Sequence, residues 1–338
     1  MKIKKKIYVS ILFWGLFLNL ISVEAKSWQE KDGKWFYIEE SGQPVRGWQE
    51  LSGRWFYFHE DGSQARSEWI EDSYVGSGGE RVVDNFVNGK YLDADGKTKD
   101  LFLGDSKFIA HRGLSNSQPE NSRDAFIWAG QNGFWGAECD VWLTKDNRYA
   151  LIHDMSLKRE FGIDANVTDL TMAQAQSYQI GELGGIKNYS PVTMLSLEEY
   201  LDIFSDYPSM HPVIELKMNF SKEQLVEMME MVKAKGLWKK AYVISFLPEN
   251  LELLRGLYPD LKLQLLTDKI EDVTVDWCKQ YRVDISAVDH VLTKDLVKRF
   301  HEAGLEVAVW TVDDKQKALD LIYKMGVDYI TTNVRLFN

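Results

Sequence analysis

Eight short apolar segments recur along the second half of the chain, with helical patterns filling the gaps between them. One such helix is capped by Thr293 and ended by Gly304. Strands that alternate with helices pair in parallel, and eight such units over ~230 residues are typical of a closed barrel. The sequence therefore predicts an α/β fold, a (β/α)₈ TIM barrel over residues 105–338. The predicted strands are 107–111, 136–144, 212–218, 241–246, 262–267, 283–288, 306–311 and 328–332.

A ninth apolar run, YALIHD, ends at Asp154 and follows the second strand after only the four residues KDNR. A parallel return would need a crossover of about a dozen residues or more. The run is therefore predicted to be the returning arm of a hairpin that extends the second strand.

The first half of the chain, residues 26–104, repeats itself with a period of 20. Trp69 opens a third, looser unit, and GKYLDADGK around Tyr91 looks like a worn copy. A fixed period of this length indicates stacked units that cannot bury a core alone. Each unit combines an aromatic strand with a glycine turn, which predicts an N-terminal β-hairpin repeat module. The aligned pairs are Trp28 and Trp48, Gly33 and Gly53, Trp35 and Trp55, Tyr37 and Tyr57, and Gly42 and Gly62.

The N-terminal segment, residues 1–25, has the features of an export signal. A basic stretch, MKIKKK, precedes the apolar run IYVSILFWGLFLNLIS, and small residues at Val23 and Ala25 allow cleavage after Ala25. An uncleaved membrane anchor is the alternative, although the apolar run is at the short end for a bilayer span. After cleavage we expect no stable membrane span and a secreted chain.

Composition argues against two other classes of protein. The formal net charge of -11 disfavours nonspecific binding of nucleic acid. A phosphorylated substrate is still allowed, because its binding depends on local charge. Cys139 and Cys278 are the only cysteines, so the chain is not a disulfide scaffold.

Three carboxyl side chains lie within otherwise apolar predicted strands. Glu138 and Asp140 are two residues apart in one strand, and Glu215 and Lys217 repeat this spacing in the next barrel strand. Residues two apart in a strand share a face, and buried acids need partners. Carboxylate oxygens from two strands suit Ca²⁺ or Mg²⁺, so these three residues are predicted to form a divalent-metal site.

Two histidines lie at predicted strand ends. His111 and Arg112 close the first strand, and His153 closes the returning arm of the hairpin. A barrel carries its active site at this carboxyl-terminal face. Imidazoles exchange protons near neutral pH, and a guanidinium suits two phosphate oxygens. The set suits a phosphodiester attacked either by a neighbouring substrate hydroxyl or by water. The other histidines are assigned to the repeat surface, a loop or a helix face: His59, His211, His290 and His301.

Five ordered motifs span nearly all of the barrel segment: HRG…PENS…AF from His111, ECDVWLTKD from Glu138, LIHD ending at Asp154, IELK from Ile214 and WTV at Trp310. Together they resemble the glycerophosphodiester phosphodiesterase family. The resemblance implies a TIM barrel that cleaves a glycerophosphodiester to glycerol 3-phosphate and an alcohol. By this resemblance His111 and His153 are the acid and base, Glu138, Asp140 and Glu215 are the metal ligands, and Arg112 and Lys217 hold phosphate.

Two features depart from the family pattern. The family usually ends its last strand with an acidic residue near Asn333, where this chain has ITTN. The segment 155–191, between the second histidine and the third metal ligand, varies widely in the family. Both departures leave the leaving-group specificity open. Asn121 or Ser122 is predicted to cap the first barrel helix, and Glu120 either favours that helix start or serves the site.

The repeat pattern, Gly-Trp followed by Gly-x-Trp-aromatic-Tyr and a glycine turn, resembles the choline-binding, or cell-wall-binding, repeats of Gram-positive surface proteins. Ring faces attract a quaternary ammonium by cation–π contact. The alternative is that the rings only pack hairpin against hairpin. The resemblance implies a choline-bearing cell-wall polymer, a teichoic acid, as partner. The candidate choline-binding residues are Trp28, Trp35, Trp48, Trp55, Tyr57 and Trp69.

The sequence thus predicts a secreted, cell-wall-associated, metal-dependent phosphodiesterase for glycerophosphodiesters such as glycerophosphocholine. Within the same fold, the alternatives are a polyglycerophosphate teichoic-acid hydrolase and a lysophospholipase D-like enzyme. In another class, the alternative is a choline-binding surface adhesin with an inactive barrel. The joint presence of both histidines and all three carboxylates favours the enzyme.

Overall fold

The structure is a computed structural model that describes residues 26–83, 85–87, 90–93, 95–99, 107–180 and 192–336. The chain divides into two compact units, Met1–Phe102 and Leu103–Asn338. The predicted export signal, residues 1–25, lies outside the described residues.

Across the part of the chain that the structure describes, no helix is both long enough and apolar enough to cross a membrane.

The first unit is a series of short antiparallel hairpins. In the first two hairpins the tryptophan of one strand pairs with the tyrosine of the next, Trp28 with Tyr37 and Trp48 with Tyr57. The 20-residue period is therefore one hairpin with its connection. The strands are β1 Ser27–Lys31, β2 Lys34–Ile38, β3 Gly47–Leu51, β4 Arg54–Phe58, β5 Glu68–Ile70, β6 Ser73–Val75, β7 Asn85–Val87, β8 Lys90–Leu92 and β9 Thr98–Lys99.

The hairpin turns explain the glycines of the repeat. Asp32 and Gly33 have φ values of 52° and 76°, and Ser52 and Gly53 have 53° and 76°. Two consecutive residues with positive φ match the twist of the flanking strands, and glycine adopts the second position without strain.

The later units differ from the first two. The β5–β6 hairpin is shorter, since Trp69 pairs with Tyr74 only five residues on. The segment around Tyr91 is a three-stranded sheet of β7, β8 and β9 rather than the single hairpin that the sequence suggested.

The second unit is a closed parallel barrel, as predicted. Strand β10 pairs in parallel with both β11 and β19, which closes the eight-stranded ring. The predicted strand ends differ from those of the structure by at most two residues. The strands are β10 Lys107–Ala110, β11 Gly136–Leu143, β12 Tyr149–Leu151, β13 Leu195–Ser196, β14 His211–Leu216, β15 Tyr242–Ser245, β16 Lys262–Thr267, β17 Asp284–Val288, β18 Val307–Trp310 and β19 Tyr329–Thr332.

Helices surround the barrel and cover the outer face of its strands. The helix that Thr293 caps begins at Lys294 and is followed by Gly304 with φ 76°, as predicted. The helices are α1 Arg123–Gln131, α2 Lys158–Phe161, α3 Met172–Gln176, α4 Leu197–Ile203, α5 Lys222–Ala234, α6 Pro248–Leu257, α7 Asp272–Tyr281, α8 Lys294–Glu302 and α9 Lys315–Asp320, with short 3₁₀ turns at Val167–Asp169 and Asp289–Val291 and a π turn at Leu321–Met325.

The hairpin that extends the second barrel strand is confirmed. β12 runs antiparallel to β11, and Val141 pairs with Leu151. The variable segment that follows forms a small core of its own, in which Leu157, Phe161 and Val167 are buried. Residues 181–191 of this segment lie outside the described part.

One histidine assignment is wrong. His211 lies at the first position of β14 rather than in a loop or on a helix face. Its ring stacks on Trp135 with centroids 4.1 Å apart, close to the amino-terminal ends of the strands. The predicted strand begins at residue 212, one residue after the observed start, which leaves His211 in the preceding loop.

Candidate active site

The three carboxylates predicted to bind metal meet at the carboxyl-terminal end of the barrel. Glu138 and Asp140 lie on β11 and Glu215 on β14, with relative exposures of only 2%, 0% and 8%. One oxygen of each lies within 4.8 Å of the others. Cys139 and Val141 belong to the apolar core on the other side of β11, which is the alternation predicted for a strand.

Burial strongly affects the protonation of this cluster. It raises the pKa of Glu138 well above the usual range, and the charges of Asp140 and Glu215 add to the effect. Burial likewise raises the pKa of Glu215 to about 7, with Asp140 contributing. Burial opposes ionisation of Asp140 as well, but Lys217 and Arg112 lower its pKa to about 2. Asp140 is thus the carboxylate that stays charged.

Two cations contact the cluster without saturating it. Lys217 Nζ lies 2.9 Å from Glu215 Oε1 and 3.3 Å from Asp140 Oδ1, and Arg112 Nε lies 3.3 Å from Asp140 Oδ2. Glu138 Oε1 and Asp140 Oδ1 are buried and have no hydrogen-bond partner in the described structure. Two of the three carboxylates thus keep an unused oxygen, and the all-oxygen donor set fits a hard divalent cation.

An asparagine that sequence reasoning placed at a helix cap instead orients Asp140. Asn121 Nδ2 donates to Asp140 Oδ2 at 2.8 Å, and its Oδ1 accepts from Asp140 N at 3.1 Å. The cap of α1 is Ser122, whose hydroxyl accepts from Ala125 N. Asn121 has φ 54°, a conformation that asparagine tolerates better than most residues.

Arg112 is held by two acidic residues of the site region. Its backbone N–H donates to Glu138 Oε2 at 2.8 Å, and its Nη1 lies 2.9 Å from Glu120 Oε1. Glu120 also accepts two hydrogen bonds from Arg159. The side chain of Glu120 therefore serves the site by joining two arginines.

His111 is oriented by a neutral amide. Its Nδ1 lies 2.8 Å from Asn333 Oδ1, an atom that can only accept, so Nδ1 carries a proton. Asn333 Nδ2 donates to Asp313 Oδ2 at 2.7 Å, which fixes the amide the right way round. Burial lowers the pKa of His111, and the positive charge of Arg112 lowers it further. In its neutral form the ring therefore offers Nε2 as a proton acceptor.

His153 is oriented by a carboxylate. Its Nδ1 donates to Asp154 Oδ1 at 2.7 Å, and Asp154 Oδ2 accepts from Arg159 Nε at 2.6 Å. Burial lowers the pKa of His153, while Asp140 and Asp154 oppose this shift. Arg159 thus links the support of His153 to Glu120 and, through it, to Arg112.

An open cavity of about 180 Å³ lies over these groups, with one polar wall and one apolar wall. On the apolar wall, the rings of Phe246 and Trp310 form an edge-to-face pair with centroids 5.6 Å apart, and Phe246 is 45% exposed. The polar wall consists of His111, Arg112, Glu138, His153, Glu215 and Lys217, and the apolar wall includes Ile244, Phe246, Leu266 and Trp310.

Four supporting residues were not assigned to the site from the sequence. Asn333 was noted only as a departure from the family pattern, yet it contacts His111. Asp313 follows the WTV motif, and its carboxylate accepts from Asn333, the residue that contacts His111. Asn121 was considered only as a cap, and Arg159 lies in the variable segment, where the sequence carries no signal for it.

The aromatic residues of the repeat module pack mainly within their own hairpins, but the Trp28 ring also lies 5.3 Å from Phe56 and 5.7 Å from Phe58 of the second hairpin. Trp28 contacts Tyr37 at 5.3 Å and Trp35 at 6.4 Å. Trp48 contacts Tyr57 at 5.4 Å. Trp69, the tryptophan of the third hairpin, contacts Tyr74 of the same hairpin at 5.2 Å. Trp28 and Trp55 are each 37% exposed, so part of the ring surface is open to a ligand.

The barrel sequence matches the glycerophosphoryl diester phosphodiesterase family over residues 111–335. The chain belongs to this family. Residues 25–69 match the choline-binding repeat. As a family member the chain is a phosphoric diester hydrolase, and members of this family use a divalent metal.

Relatives that carry the name of this family are similar to most of the barrel sequence. The glycerophosphodiester phosphodiesterase of Bacillus altitudinis is 30% identical over 239 residues, which is 68% of this chain and 94% of that protein. A glycerophosphodiester phosphodiesterase of Caldanaerobacter subterraneus is 27% identical over 230 residues, 67% of this chain and 93% of that protein.

Solved structures support the fold. A phosphodiesterase of Oleispira antarctica, in complex with the product sn-glycerol-3-phosphate, superposes with a TM-score of 0.62 at 24% identity, covering 67% of this chain and 92% of that one. A glycerophosphodiester phosphodiesterase of Parabacteroides distasonis superposes with a TM-score of 0.57 at 26% identity, covering 68% and 93%.

Proposed function

We propose that the barrel hydrolyses glycerophosphodiesters to glycerol 3-phosphate and an alcohol, with His111 and His153 as the proton-transfer pair. The observation that carries this proposal is that both histidines line one cavity with two of the three clustered carboxylates. Each ring has its Nδ1 engaged by a fixed acceptor, so each presents Nε2 to the cavity chemistry.

His111 is assigned the base role. It is held by the neutral amide of Asn333, and burial together with Arg112 lowers its pKa, so the ring is neutral at physiological pH. Its Nε2 removes the proton of the attacking hydroxyl, which belongs either to the substrate or to water. The new phosphorus–oxygen bond forms as that proton is taken.

His153 is assigned the acid role. The carboxylate of Asp154 accepts its Nδ1 proton and stabilises the protonated ring, which the amide beside His111 does less well. As the phosphorus–oxygen bond to the alcohol breaks, Nε2 of the protonated ring donates to the departing oxygen. The pair is reset when the proton held by His111 is returned to solvent and His153 is protonated again.

The phosphate is held by charge from this chain. Arg112 and Lys217 both line the cavity and both contact Asp140, so they are positioned to reach phosphoryl oxygens. When bound by Glu138, Asp140 and Glu215, a Ca²⁺ or Mg²⁺ ion neutralises charge on those oxygens. Asn121 keeps Asp140 in the orientation that this role requires.

Glycerophosphocholine is the substrate that the apolar wall favours. The exposed ring of Phe246 and the partly buried ring of Trp310 lie on the apolar wall of the cavity, and ring faces attract a trimethylammonium. A polyglycerophosphate chain of teichoic acid has no such cation, and a lysophospholipase D-like activity would require an acyl groove.

We place the enzyme at the cell surface of a Gram-positive type of cell. The support is the choline-binding repeat, which suggests a surface association, together with the export features of residues 1–25. The repeats would bind a choline-bearing cell-wall polymer, such as a teichoic acid, and retain the barrel there.

The test is hydrolysis of a substrate panel, with glycerol 3-phosphate measured as the product of the deacylated diesters and choline measured as the product of lysophosphatidylcholine. The panel holds glycerophosphocholine, glycerophosphoethanolamine, glycerophosphoglycerol, polyglycerophosphate and lysophosphatidylcholine. We expect the highest kcat/KM for glycerophosphocholine, and Phe246→Ala should reduce this preference without abolishing turnover of glycerophosphoglycerol. A preference for polyglycerophosphate would instead assign the enzyme to wall-polymer turnover, and absence of hydrolysis of every member would refute the proposal.

A further inference from the structure

The first three hairpins of the repeat module contain two sites built from equivalent residues. Gln64 N donates to Trp35 O at 2.7 Å, and Arg81 N donates to Trp55 O at the same distance. Trp35 and Trp55 are equivalent in the repeat, so Gln64 and Arg81 occupy equivalent positions. We call Trp28 and Trp35 with Gln64 the first cleft, and Trp48 and Trp55 with Arg81 the second cleft.

The two clefts differ in what this residue does. In the second cleft the guanidinium carbon of Arg81 lies 5.6 Å from the ring centroid of Trp48 and 5.3 Å from that of Trp55. These distances are those of a cation–π contact. The rings that could receive an external cation are therefore already in contact with a cation of this chain.

The side chain of Arg81 packs closely against Gly96. A Cβ at Gly96 would lie only 2.8 Å from Arg81 Cδ, and Gly96 has φ +68°, so the site requires glycine behind the arginine. Arg81 Nε is buried with no hydrogen-bond partner among the residues that the structure describes. The contact with the two rings is thus a principal environment of this side chain.

In the first cleft the equivalent side chain is neutral and points elsewhere. Gln64 Nε2 donates to Gly78 O at 3.2 Å, and its Oε1 accepts from Arg66 Nε at 3.2 Å. Within the described residues, no lysine or arginine lies over Trp28 or Trp35, whereas Lys90 lies 5.3 Å from the ring centroid of Trp69. The first cleft alone keeps its ring faces clear of internal cations.

We propose that Arg81 is an internal cation that fills the second cleft, so the first three hairpins offer one cleft, not two, to an external quaternary ammonium. The proposal rests on the proposed choline binding of the module. It follows that a choline-bearing polymer is held by a single contact in this part of the module. Its binding is readily reversed, because the avidity that two simultaneous contacts would give is missing.

The proposal predicts a gain of function from one substitution. Arg81→Gln places in the second cleft the residue that the first cleft has, and it removes the competing charge. The reciprocal variant Gln64→Arg places a cation beside the rings of the first cleft. Arg54→Gln is the matched control. Arg54 pairs with Glu80 next to the second cleft, and its substitution changes the net charge of the chain by the same amount while leaving Arg81 in place.

The experiment is a titration of the full chain with choline chloride, followed by the indole N–H resonances of its tryptophans in ¹H–¹⁵N spectra at constant ionic strength. In the wild type we expect Trp28 and Trp35 to respond and Trp48 and Trp55 to stay unchanged. In Arg81→Gln all four should respond, and in Gln64→Arg the response of the first cleft should be lost. Arg54→Gln should behave as the wild type.

The outcomes separate this proposal from the choline-binding function itself. A response of Trp48 and Trp55 in the wild type, or none in Arg81→Gln, overturns the filled cleft even if the first cleft binds. A response in Arg81→Gln alone supports the filled second cleft but overturns the open first cleft, and with it the proposed choline binding of these hairpins. Unchanged dispersion of the spectra in each variant establishes that the hairpins remain folded.

Discussion

The barrel and the repeat module place their cationic side chains in different surroundings. In the barrel, Arg112 and Lys217 are partly buried and contact carboxylates. In the module, a cation meets the faces of tryptophan rings at a partly exposed surface. The barrel site joins residues far apart in sequence, such as His111 and Asn333, whereas a cleft of the module uses neighbours within one or two hairpins. Substitutions should therefore disable the barrel site as a whole but the module one cleft at a time.

The largest effect is expected for Glu215→Gln. The change removes one anionic ligand and no core volume, so turnover should fall by orders of magnitude while the fold and the retention on choline resin persist. Initial rates on glycerophosphocholine and a thermal melt would measure both.

Asp284→Asn is the matched control for that variant. Asp284 is buried to the same degree, 9% exposed against 8% for Glu215, but begins β17 at the opposite end of the barrel. Its turnover should match the wild type. Equal losses in the two variants would mean that any buried carboxylate is needed for folding, and the metal assignment would lose its support.

The histidine pair should give the next largest effect. His111→Ala should lower kcat/KM by about 10²–10⁴-fold on both a p-nitrophenyl diester and glycerophosphocholine, because the nucleophile needs a base in either case. His153→Ala should lose as much on glycerophosphocholine and far less on the p-nitrophenyl diester, since p-nitrophenolate leaves without protonation. Equal losses of both variants on both substrates would refute the division of roles.

A smaller effect is expected from exchanging the amide and carboxylate beside His111. The double variant Asn333→Asp with Asp313→Asn keeps charge and volume but brings the carboxylate to the histidine. A neighbouring carboxylate raises the pKa of His111, so the base would be lost to protonation at a higher pH. The acidic limb of the kcat/KM profile should therefore move to higher pH, and Ser115→Ala, which removes another contact of Asn333, should not move it. An unmoved limb in the double variant would assign that limb to another group.

The smallest effect on turnover is expected for the module. Trp35→Ala removes a ring of the first cleft and should reduce retention on choline resin, while kcat/KM for a small soluble diester stays unchanged. Trp48→Ala, in the second cleft, is the comparison and should reduce retention less. A loss of turnover in either variant would show that the module contributes to catalysis.

The sequence predicted the parts of the molecule that follow from local pattern. Strand alternation placed Glu138 and Asp140 on one face, and the period of 20 placed the hairpins. It could not predict contacts that depend on how distant strand ends meet. Asp313, Asn333 and His111 follow the ends of three different strands and are linked by hydrogen bonds. Arg159 lies in the variable segment, which has no family pattern, and donates to Glu120. Arg81 likewise follows from hairpin stacking and not from the repeat itself.

The central claim is that Glu138, Asp140 and Glu215 bind a divalent cation that the reaction needs. The direct test is calorimetric titration of the chelator-treated chain with Ca²⁺ and with Mg²⁺, below and above the pKa of Glu215 at about 7, in buffers of different ionisation enthalpy. Binding requires deprotonated ligands, so it should release protons below that pH and fewer above it, and Glu215→Gln should weaken it. Turnover should return with the same ion. No binding of either ion, together with full turnover in chelator, would contradict the account.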